Sequence, residues 1–413
     1  MTSNARKKPG PPKKRPVRAH EVCGAKYLHT LRKFLKPLHS DRACANRQLH
    51  FDEYAGYVFL HFFNPLLDRM RALQQVSTLR RVQERFRLPR FSLGSFSEAG
   101  RRFHPALLEP IVSELVGQVG DLGAHRQLSA LEKTLTAVDS TLVRGVASMA
   151  WALWRTDDER AFKVHLEYEI LKGAPGRATL THGQAGDARN LRDTLSAHRL
   201  YVLDRGYVDY GLLAEILDLE SSFVVRLQSN AVTEVLEERP LSDDARKAGV
   251  TKDILVRLGC ADSPELHNRR LRLVEVRVHN LDALLGRQPR CRPVDRKTKA
   301  FRAQRTETVL LLATDLLDLP AELIALIYRC RWQIELFFRW FKIILKADHL
   351  LSQSKNGLTI MVYCALIASL LIVLWTGRKP TKRAYEMLCC YFAGWVEDDE
   401  WEAHLGRLRK TVV

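Results

Sequence analysis

The chain has 413 residues, enough for two or three domains, and its 46% apolar and 27% charged residues exclude a wholly disordered protein. Its 65 Lys and Arg residues outnumber 47 Asp and Glu residues, which gives a net charge of +18 and favours a polyanionic partner. A ribosome-like or membrane-surface protein would share that charge. The eight cysteines form no CxxC pair and show no zinc-finger spacing, so we expect reduced thiols that pack in the interior of a cytoplasmic protein.

The first 125 residues carry much of the basic excess. Residues 1–18 hold seven Lys or Arg and no acid, with several prolines, which predicts a disordered basic arm. This arm either touches DNA phosphates or is an uninformative terminus. Residues 19–125 have helical periodicity, and the segment from Arg69 to Arg102 contains nine arginines and two acids. Two short helices around Leu88-Pro89-Arg90 could form a helix-turn-helix-like unit, so we interpret 19–125 as a helical DNA-binding domain; a basic face on an ordinary bundle would look the same.

Strand patterns dominate the next hundred residues. Two apolar strands, Thr134–Asp139 and Leu200–Asp204, are each predicted to end in an aspartate. Between and after them we predict the strands Phe162–Leu171, Arg177–Thr181 and Ser222–Leu227 and the helices Ala188–Leu195 and Val208–Leu217. The predicted order is three meandering strands, a helix, a strand, a second helix and a further strand. This is the order of a ribonuclease-H-like sheet. The predicted fold class is therefore α/β, with a mixed sheet flanked by helices.

The second half of the chain interrupts and then completes this pattern. Residues 228–305 are interpreted as a β-rich insertion, with a strand at Arg270–Val278 and a basic run from Arg287 to Arg305. Core strand character returns at Thr308–Thr314, and 378–413 is predicted to be a helical C-terminal region. Leu358–Trp375 contains eighteen residues without a charge, at the lower limit for a membrane span. A helix buried in a large core explains it better, and the absence of an apolar signal core at the N-terminus argues against export.

The segment Leu326–Lys346 follows Asp318-Leu319-Pro320 and is predicted to be one helix. Its apolar side chains share one face, which should enter a core, and four polar side chains share a neighbouring stripe. The apolar set is Ile327, Ile334, Phe338, Phe341 and Leu345, and the polar set is Tyr328, Arg331, Glu335 and Lys342. By spacing alone, the polar stripe could be a solvated face with i,i+4 salt bridges. Trp332, beside Arg331, is expected to be a core residue rather than a base contact.

The spacing Tyr, two residues, Arg, three residues, Glu, six residues, Lys resembles the YREK signature of a family of bacterial insertion-sequence transposases. The motifs AVDST and VLDRGY resemble the two aspartate motifs of the same family, which has a ribonuclease-H-like fold and an Asp-Asp-Glu triad. The resemblance implies Asp139, Asp204 and Glu335 as catalytic metal ligands and Tyr328, Arg331, Lys342 and Arg205 as DNA-phosphate-binding residues. Asp187 and Asp209 are the competing aspartates, expected to be a helix N-cap and a helical residue. The catalytic domain would then comprise 126–227 and 306–377.

The implied function is cut-and-paste transposition of DNA, with hydrolysis at inverted-repeat ends and joining of 3′-hydroxyls to target DNA. Three neighbouring carboxylates repel unless divalent cations neutralise them, so two Mg²⁺ ions, or Mn²⁺, are expected. The implied partners are double-stranded DNA and a second copy of the chain in a homodimer, with no membrane. The expected location is the bacterial cytoplasm, at the nucleoid when DNA-bound. A catalytically inactive DNA-binding relative, a nuclease without strand transfer and a membrane-anchored protein are the alternatives.

Overall fold

The structure, a computed structural model, describes residues 31–39, 49–64, 66–122, 126–146, 148–152, 160–259, 264–279, 307–347 and 349–410. The predicted basic arm (1–18) and the basic run Arg287–Arg305 lie outside these residues. The four described cysteines, Cys330, Cys364, Cys389 and Cys390, are free thiols, and three of them are buried.

The first part of the described chain is helical, as its periodicity predicts. Ser92 begins α4, because its side-chain oxygen accepts a hydrogen bond from the Ser95 N–H at 3.0 Å. Arg87, with φ 48°, ends α3 in the left-handed conformation. The helices are α1 (Phe51–Phe63), α2 (Met70–Ser77), α3 (Arg80–Phe86), α4 (Leu93–Arg102) and α5 (Glu109–Gln118).

A nine-stranded mixed sheet forms the centre of the protein, in the order β3-β2-β1-β4-β5-β9-β8-β7-β6. The pairs β1–β4 and β4–β5 are parallel and the other pairs are antiparallel. The strands are β1 (Thr134–Arg144), β2 (Ala161–Glu169), β3 (Ala174–His182), β4 (Arg199–Leu203), β5 (Ser222–Arg226), β6 (Thr233–Glu238), β7 (Val250–Leu258), β8 (Leu271–His279) and β9 (Glu307–Thr314). Strands β6, β7 and β8 of the predicted insertion therefore extend the same sheet through β9.

Helices cover both faces of the sheet. The helices on the first face that concern the site are α10 (Ala321–Cys330), α11 (Trp332–Ile344) and α12 (Lys355–Thr376). The remaining helices are α6 (Asp187–Arg192), α7 (Tyr210–Asp218), α8 (Asp243–Lys247), α9 (Pro264–His267), α13 (Lys382–Phe392) and α14 (Asp398–Lys410). Alternate residues of β1 and β4 join different cores: Leu135 and Leu200 pack on the side of α10–α12, whereas Val138 and Leu203 pack on the side of α6 and α7.

Helix α12 is the core helix that its composition predicts. Ser354 caps its start by accepting from the Gly357 N–H, and Gly377, with φ 66°, ends it in the left-handed conformation. The helix packs against α1, α4, α5, α11 and β3. By length and composition it could cross a bilayer, but 89% of its most apolar window is buried inside the protein. The preference for a core helix over a span is thus confirmed by the packing.

The prediction of one continuous helix from Leu326 to Lys346 is wrong in one respect. The chain forms two helices, α10 and α11, that meet at Arg331. The Arg331 N–H donates to the Tyr328 carbonyl and the Ile334 N–H donates to the Arg331 carbonyl, both at 3.1 Å. These i→i−3 bonds tighten the chain at that point and interrupt the α-helical ladder. The predicted apolar face is buried along its whole length, whereas Trp332 is half-buried.

Candidate active site

The register of the parallel strands brings two of the predicted acids side by side. Strand β1 pairs with β4 up to Ala137 opposite Val202. Asp139 and Asp204 each lie two residues beyond that pair, so they occupy equivalent positions at the carboxyl end of β4. Side chains alternate between the faces of a strand, so both aspartates lie on the face that α10 and α11 cover.

Asp204 follows the last residue of β4, as predicted, but Asp139 does not end its strand. Strand β1 continues to Arg144 because β2 pairs with it along this stretch, with Asp139 opposite Leu166. The aspartate is nevertheless accessible from one side, because the pairing between β1 and β4 stops at Ala137. The sequence pattern therefore misplaced the end of strand β1.

Arg331 joins Asp139 to Glu335. Its Nη1 lies 3.2 Å from Asp139 Oδ2 and its Nη2 lies 2.9 Å from Glu335 Oε1. The guanidinium is 8% exposed and the two carboxylates are each 23% exposed, so the three groups form a half-buried cluster. Glu335 stands in the first turn of α11, one turn after the break at Arg331. The break between the helices therefore places a cation between two acids that are distant in sequence.

The electrostatic environment of Asp139 is unfavourable for a lone carboxylate. Its pKa is raised to about 6, against an ordinary 3.8, chiefly by burial and in smaller part by the charges of Asp204 and Glu335. The guanidinium of Arg331 and the Ser140 N–H, which donates to Asp139 Oδ1 at 2.8 Å, act in the opposite direction. One arginine thus compensates the cluster only in part, and an additional cation would be favoured there.

The second aspartate lies on the outer side of this cluster. Asp204 Oδ1 accepts a hydrogen bond from the Gly206 N–H at 2.6 Å, and this contact begins the short turn Arg205–Tyr207. Arg205 is exposed on that turn. The Asp204 charge acts on Asp139, Tyr328 and Arg331, although no direct hydrogen bond joins Asp204 to any of these three.

One of the four side chains of the predicted polar stripe lies apart from the other three in the structure. The Arg331 guanidinium lies 5.8 Å from the centre of the Tyr328 ring, and Tyr328 is buried beneath it. Burial raises the pKa of Tyr328, so its hydroxyl stays protonated. Lys342 is exposed two turns beyond Glu335 and lines a different cavity, together with Trp395. Arg331 and Glu335 come together, while Lys342 lies apart from them.

The family model described as the transposase DDE domain matches residues 130–371, more than half of the chain, and this range contains all seven predicted site residues. The chain belongs to the DDE transposase family.

Three relatives carry names that describe them as putative or probable transposases. The putative transposase y4zB of Sinorhizobium fredii is 26% identical over 278 residues, which cover 67% of this chain and 69% of the relative. The probable transposase for insertion sequence element IS5377 of Geobacillus stearothermophilus is 25% identical, covering 76% and 74% of the two chains. The putative transposase for insertion sequence element IS4SA of Synechocystis is 23% identical, covering 68% and 71%.

One solved structure with overall similarity is a piggyBac transposase synaptic complex with hairpin DNA. Its identity to this chain is 11% and its TM-score is 0.37, over 96% of this chain and 82% of the other. The two structures are too different for residue-level comparison.

For a DDE transposase the donor chemistry of this site fits divalent ions. Mg²⁺ and Mn²⁺ prefer carboxylate oxygens, and the pKa of Asp139 is raised chiefly by burial and in smaller part by the charges of Asp204 and Glu335, which a bound cation would offset. Within the described ranges, however, no three carboxylate, His or Cys side chains converge closely enough to hold an ion. Arg331 instead lies between two of the carboxylates. The carboxylates of the transposase are therefore the ligand type that divalent ions prefer, but the Arg331 guanidinium lies between Asp139 and Glu335.

A supporting network behind Asp139 was not predicted from the sequence. The Ser140 hydroxyl donates to Asp187 Oδ1 at 2.8 Å, and the Lys163 ammonium donates to the same oxygen at 3.1 Å. Asp187 is the first residue of α6 rather than its N-cap, which is Gly186. The network depends on β1, β2 and α6 meeting in space, and no local motif signals that encounter.

Asp209, the other competing aspartate, has a structural role. Its Oδ1 accepts from the Leu212 N–H at 3.0 Å and so caps α7, and the same oxygen binds Arg192 at 3.1 Å. The prediction that Asp209 lies inside the helix is wrong by one residue, because the capping bond keeps it outside. Both of its contacts stabilise the helix layer away from the carboxylate cluster.

Proposed function

We propose that this DDE transposase carries out cut-and-paste transposition. It would bind the inverted-repeat ends of its insertion sequence, hydrolyse phosphodiester bonds there and join the freed 3′-hydroxyls to target DNA. The observation that carries the proposal is the bridge from Asp139 through Arg331 to Glu335, in which Asp139 and Arg331 are 192 positions apart in the sequence. Asp204 at the adjacent strand end supplies the third acid.

The fold supports a ribonuclease-H-like catalytic core. The first five strands have the order β3-β2-β1-β4-β5, with β4 and β5 parallel to β1 and with α6 and α7 in the connections. We assign this core to 126–227 and 306–377, with 228–305 as the insertion. The exact spacing of Tyr328, Arg331, Glu335 and Lys342 is the reason for placing the chain in the YREK subfamily.

Asp139, Asp204 and Glu335 are the residues that would hold two Mg²⁺ or Mn²⁺ ions. When bound, such ions supply Lewis-acid activation of the attacking oxygen and neutralise charge on the leaving oxygen. The protein contributes rigidity: Ser140 orients Asp139, and the Gly206 N–H orients Asp204. No covalent intermediate with the protein is required.

The phosphate-binding roles divide by position. The forked guanidinium of Arg331 can bind a phosphate through two hydrogen bonds, and it lies beside both acids of the bridge. Arg205 extends from the turn after Asp204 and is exposed to the strand that would lie across the site. Tyr328 packs beneath the Arg331 guanidinium, and its hydroxyl is also a proposed phosphate contact. Lys342 would meet a phosphate two helical turns away.

DNA ends would be recognised by the helical part of the chain, 19–125, where α3 and α4 flank the Leu88-Pro89-Arg90 segment. Arginine favours bidentate phosphate contacts, and Arg101 and Arg102 in the last turn of α4 are exposed. A homodimer would pair two transposon ends in the bacterial cytoplasm. The basic arm 1–18 would add contacts that depend on salt.

The deciding experiment is cleavage of DNA that contains the element's ends, with Mg²⁺ or with EDTA. We expect Glu335→Gln and Asp204→Asn to abolish cleavage while binding of end DNA persists, and the exposed control Glu114→Gln to cleave normally. Full cleavage by Glu335→Gln would refute the triad. A wild-type chain that binds ends and never cleaves would identify an inactive DNA-binding relative, and cleavage without joined products would identify a nuclease without strand transfer.

A further inference from the structure

We propose that a second site, the Trp395 cavity, binds an unpaired nucleobase of the DNA strand that enters the carboxylate cluster. This inference rests on the proposed function and names a substrate contact beyond the signature residues. The cavity has a volume of about 770 Å³ and lies between the end of α11, the start of the segment after α1, and α13. We define it by Lys342, Lys346, His349, Leu66 and Trp395.

The walls of the cavity expose unusual apolar surface. Among the described large hydrophobic side chains, Leu66 (80% exposed) and Trp395 (78% exposed) are the two most exposed, and both line this cavity. Trp395 follows Gly394, whose φ of 80° reverses the chain after α13, and the Trp395 N–H donates to the Cys390 carbonyl at 2.9 Å. The turn therefore holds the indole outward. An exposed apolar cluster of this kind marks a binding surface.

The charge around the cavity selects an anionic occupant. Lys342, Lys346 and His349 line it, and the acids that also line it have cationic partners: Asp68 binds Arg69 at 2.9 Å and Glu386 binds Lys382 at 3.6 Å. Within the described part of the chain, Lys342 has no hydrogen-bond or ion-pair partner of its own. The Lys346 ammonium donates to the Asn64 carbonyl at 2.8 Å, so of the two lysines only Lys342 lacks a partner in the described part of the chain. An indole beside this ammonium matches a nucleobase that stacks while its phosphate is neutralised.

The cavity also lies at a suitable distance from the acids. Lys342 is seven residues after Glu335 in the same helix, which is about 10 Å along the axis. That length corresponds to about three nucleotides of a B-form strand. A neighbouring cavity of about 600 Å³ shares Asp68, Ala347 and His349 with it and is lined by Arg69, Arg101 and Arg144. The two cavities adjoin at these shared residues, and the arginines of the second would neutralise phosphates of a strand that passes from one cavity to the other.

The test is equilibrium binding of the full chain, in EDTA, to a single-stranded oligonucleotide that carries 2-aminopurine. Stacking on an aromatic ring quenches that fluorophore. We expect Trp395→Ala to weaken binding about five- to 150-fold and to remove the quenching. Trp395→Phe should retain most of both, and Leu107→Ala, an exposed control remote from the cavity, should change neither. Lys342→Gln should lower the slope of log affinity against log salt by about 0.7.

Thermal melting of each variant identifies any loss of folding, and Trp395→Phe provides a second variant with the ring retained. Unchanged binding and quenching in Trp395→Ala would overturn the inference. So would a change in its sedimentation without a change in DNA binding, because the cavity would then be a protein interface. The binding assay contains no divalent ion, so its result does not depend on cleavage. If the wild type cleaves normally and Trp395→Ala binds like the wild type, only the cavity proposal is rejected. If Trp395→Ala loses binding and the wild type does not cleave DNA, only the proposed reaction is rejected.

Discussion

Asp139→Asn should make the protein more stable at high pH while it removes a proposed catalytic acid. Burial raises the pKa of Asp139 to about 6 in the folded protein, against an ordinary 3.8, and this difference corresponds to about 3 kcal/mol. Because the folded-state pKa is the higher one, the contribution of Asp139 to stability is full below pH 3.8 and is lost as the pH rises through 6. Asparagine imitates the protonated carboxyl and avoids that loss.

The measurement is urea unfolding of both proteins at pH 4 and at pH 8 without divalent ions. The stability of Asp139→Asn relative to wild type should rise by about 2.4 kcal/mol between the two pH values, because about 0.5 kcal/mol of the full difference is already lost at pH 4. Asp244→Asn is the matched control, because its carboxylate is exposed beside Lys247 and should give a difference within about 0.5 kcal/mol at either pH. A relative stability of Asp139→Asn that does not change with pH would refute the electrostatic account of the cluster.

Three further changes test the supports of the site. Arg272→Ala should destabilise the protein by about 3–5 kcal/mol in urea unfolding, because it leaves the buried Asp253 carboxylate without its partner. Arg272 and Asp253 form a bidentate pair at 2.7 and 2.8 Å, and their side chains are 3% and 5% exposed. A loss of stability below about 1 kcal/mol would contradict this expectation. Arg331→Gln should move the pH dependence attributed to Asp139 to a pH above 6, since Arg331 lowers that pKa, and a downward move would contradict the bridge. Gly249→Ala should cost about 1–3 kcal/mol, because φ is 89° and a Cβ would lie 2.6 Å from a backbone oxygen of β8; an unchanged melting temperature would argue against the turn geometry.

Arg272 also holds the segment that leads into the helix before Arg331. Arg272 on β8 also donates to the Leu316 and Leu317 carbonyls, at 3.3 and 3.1 Å, and to that of Leu319. These carbonyls lie directly before α10, the helix that leads into Arg331. The predicted insertion therefore stabilises the chain that positions the bridge, which no spacing in the sequence indicates.

Much of the fold follows from local patterns. Alternation of apolar and polar residues located β2, and short apolar or strand-like runs located β4, β5, β8 and β9, all to within a few residues. Motif spacing selected Asp204 over Asp209, and the structure gives Asp209 a capping role instead. Strand β3 was predicted too short, since its first residues owe their strand conformation to pairing with β2 rather than to their own composition.

The sequence by itself determined the class of fold and the basic character of the chain, because composition and periodicity are properties of neighbouring residues. The resemblance of its motifs also named Asp139, Asp204 and Glu335 as candidate acids. Only the tertiary structure decided how those acids meet. The register of β1 on β4 sets Asp139 abreast of Asp204, and the tightened turn at Arg331 lets one guanidinium bind both Asp139 and Glu335. It also separated Lys342 from that cluster and placed it beside Trp395. These arrangements depend on contacts between segments far apart in the chain, whose geometry is set by packing and hydrogen-bond register rather than by local sequence.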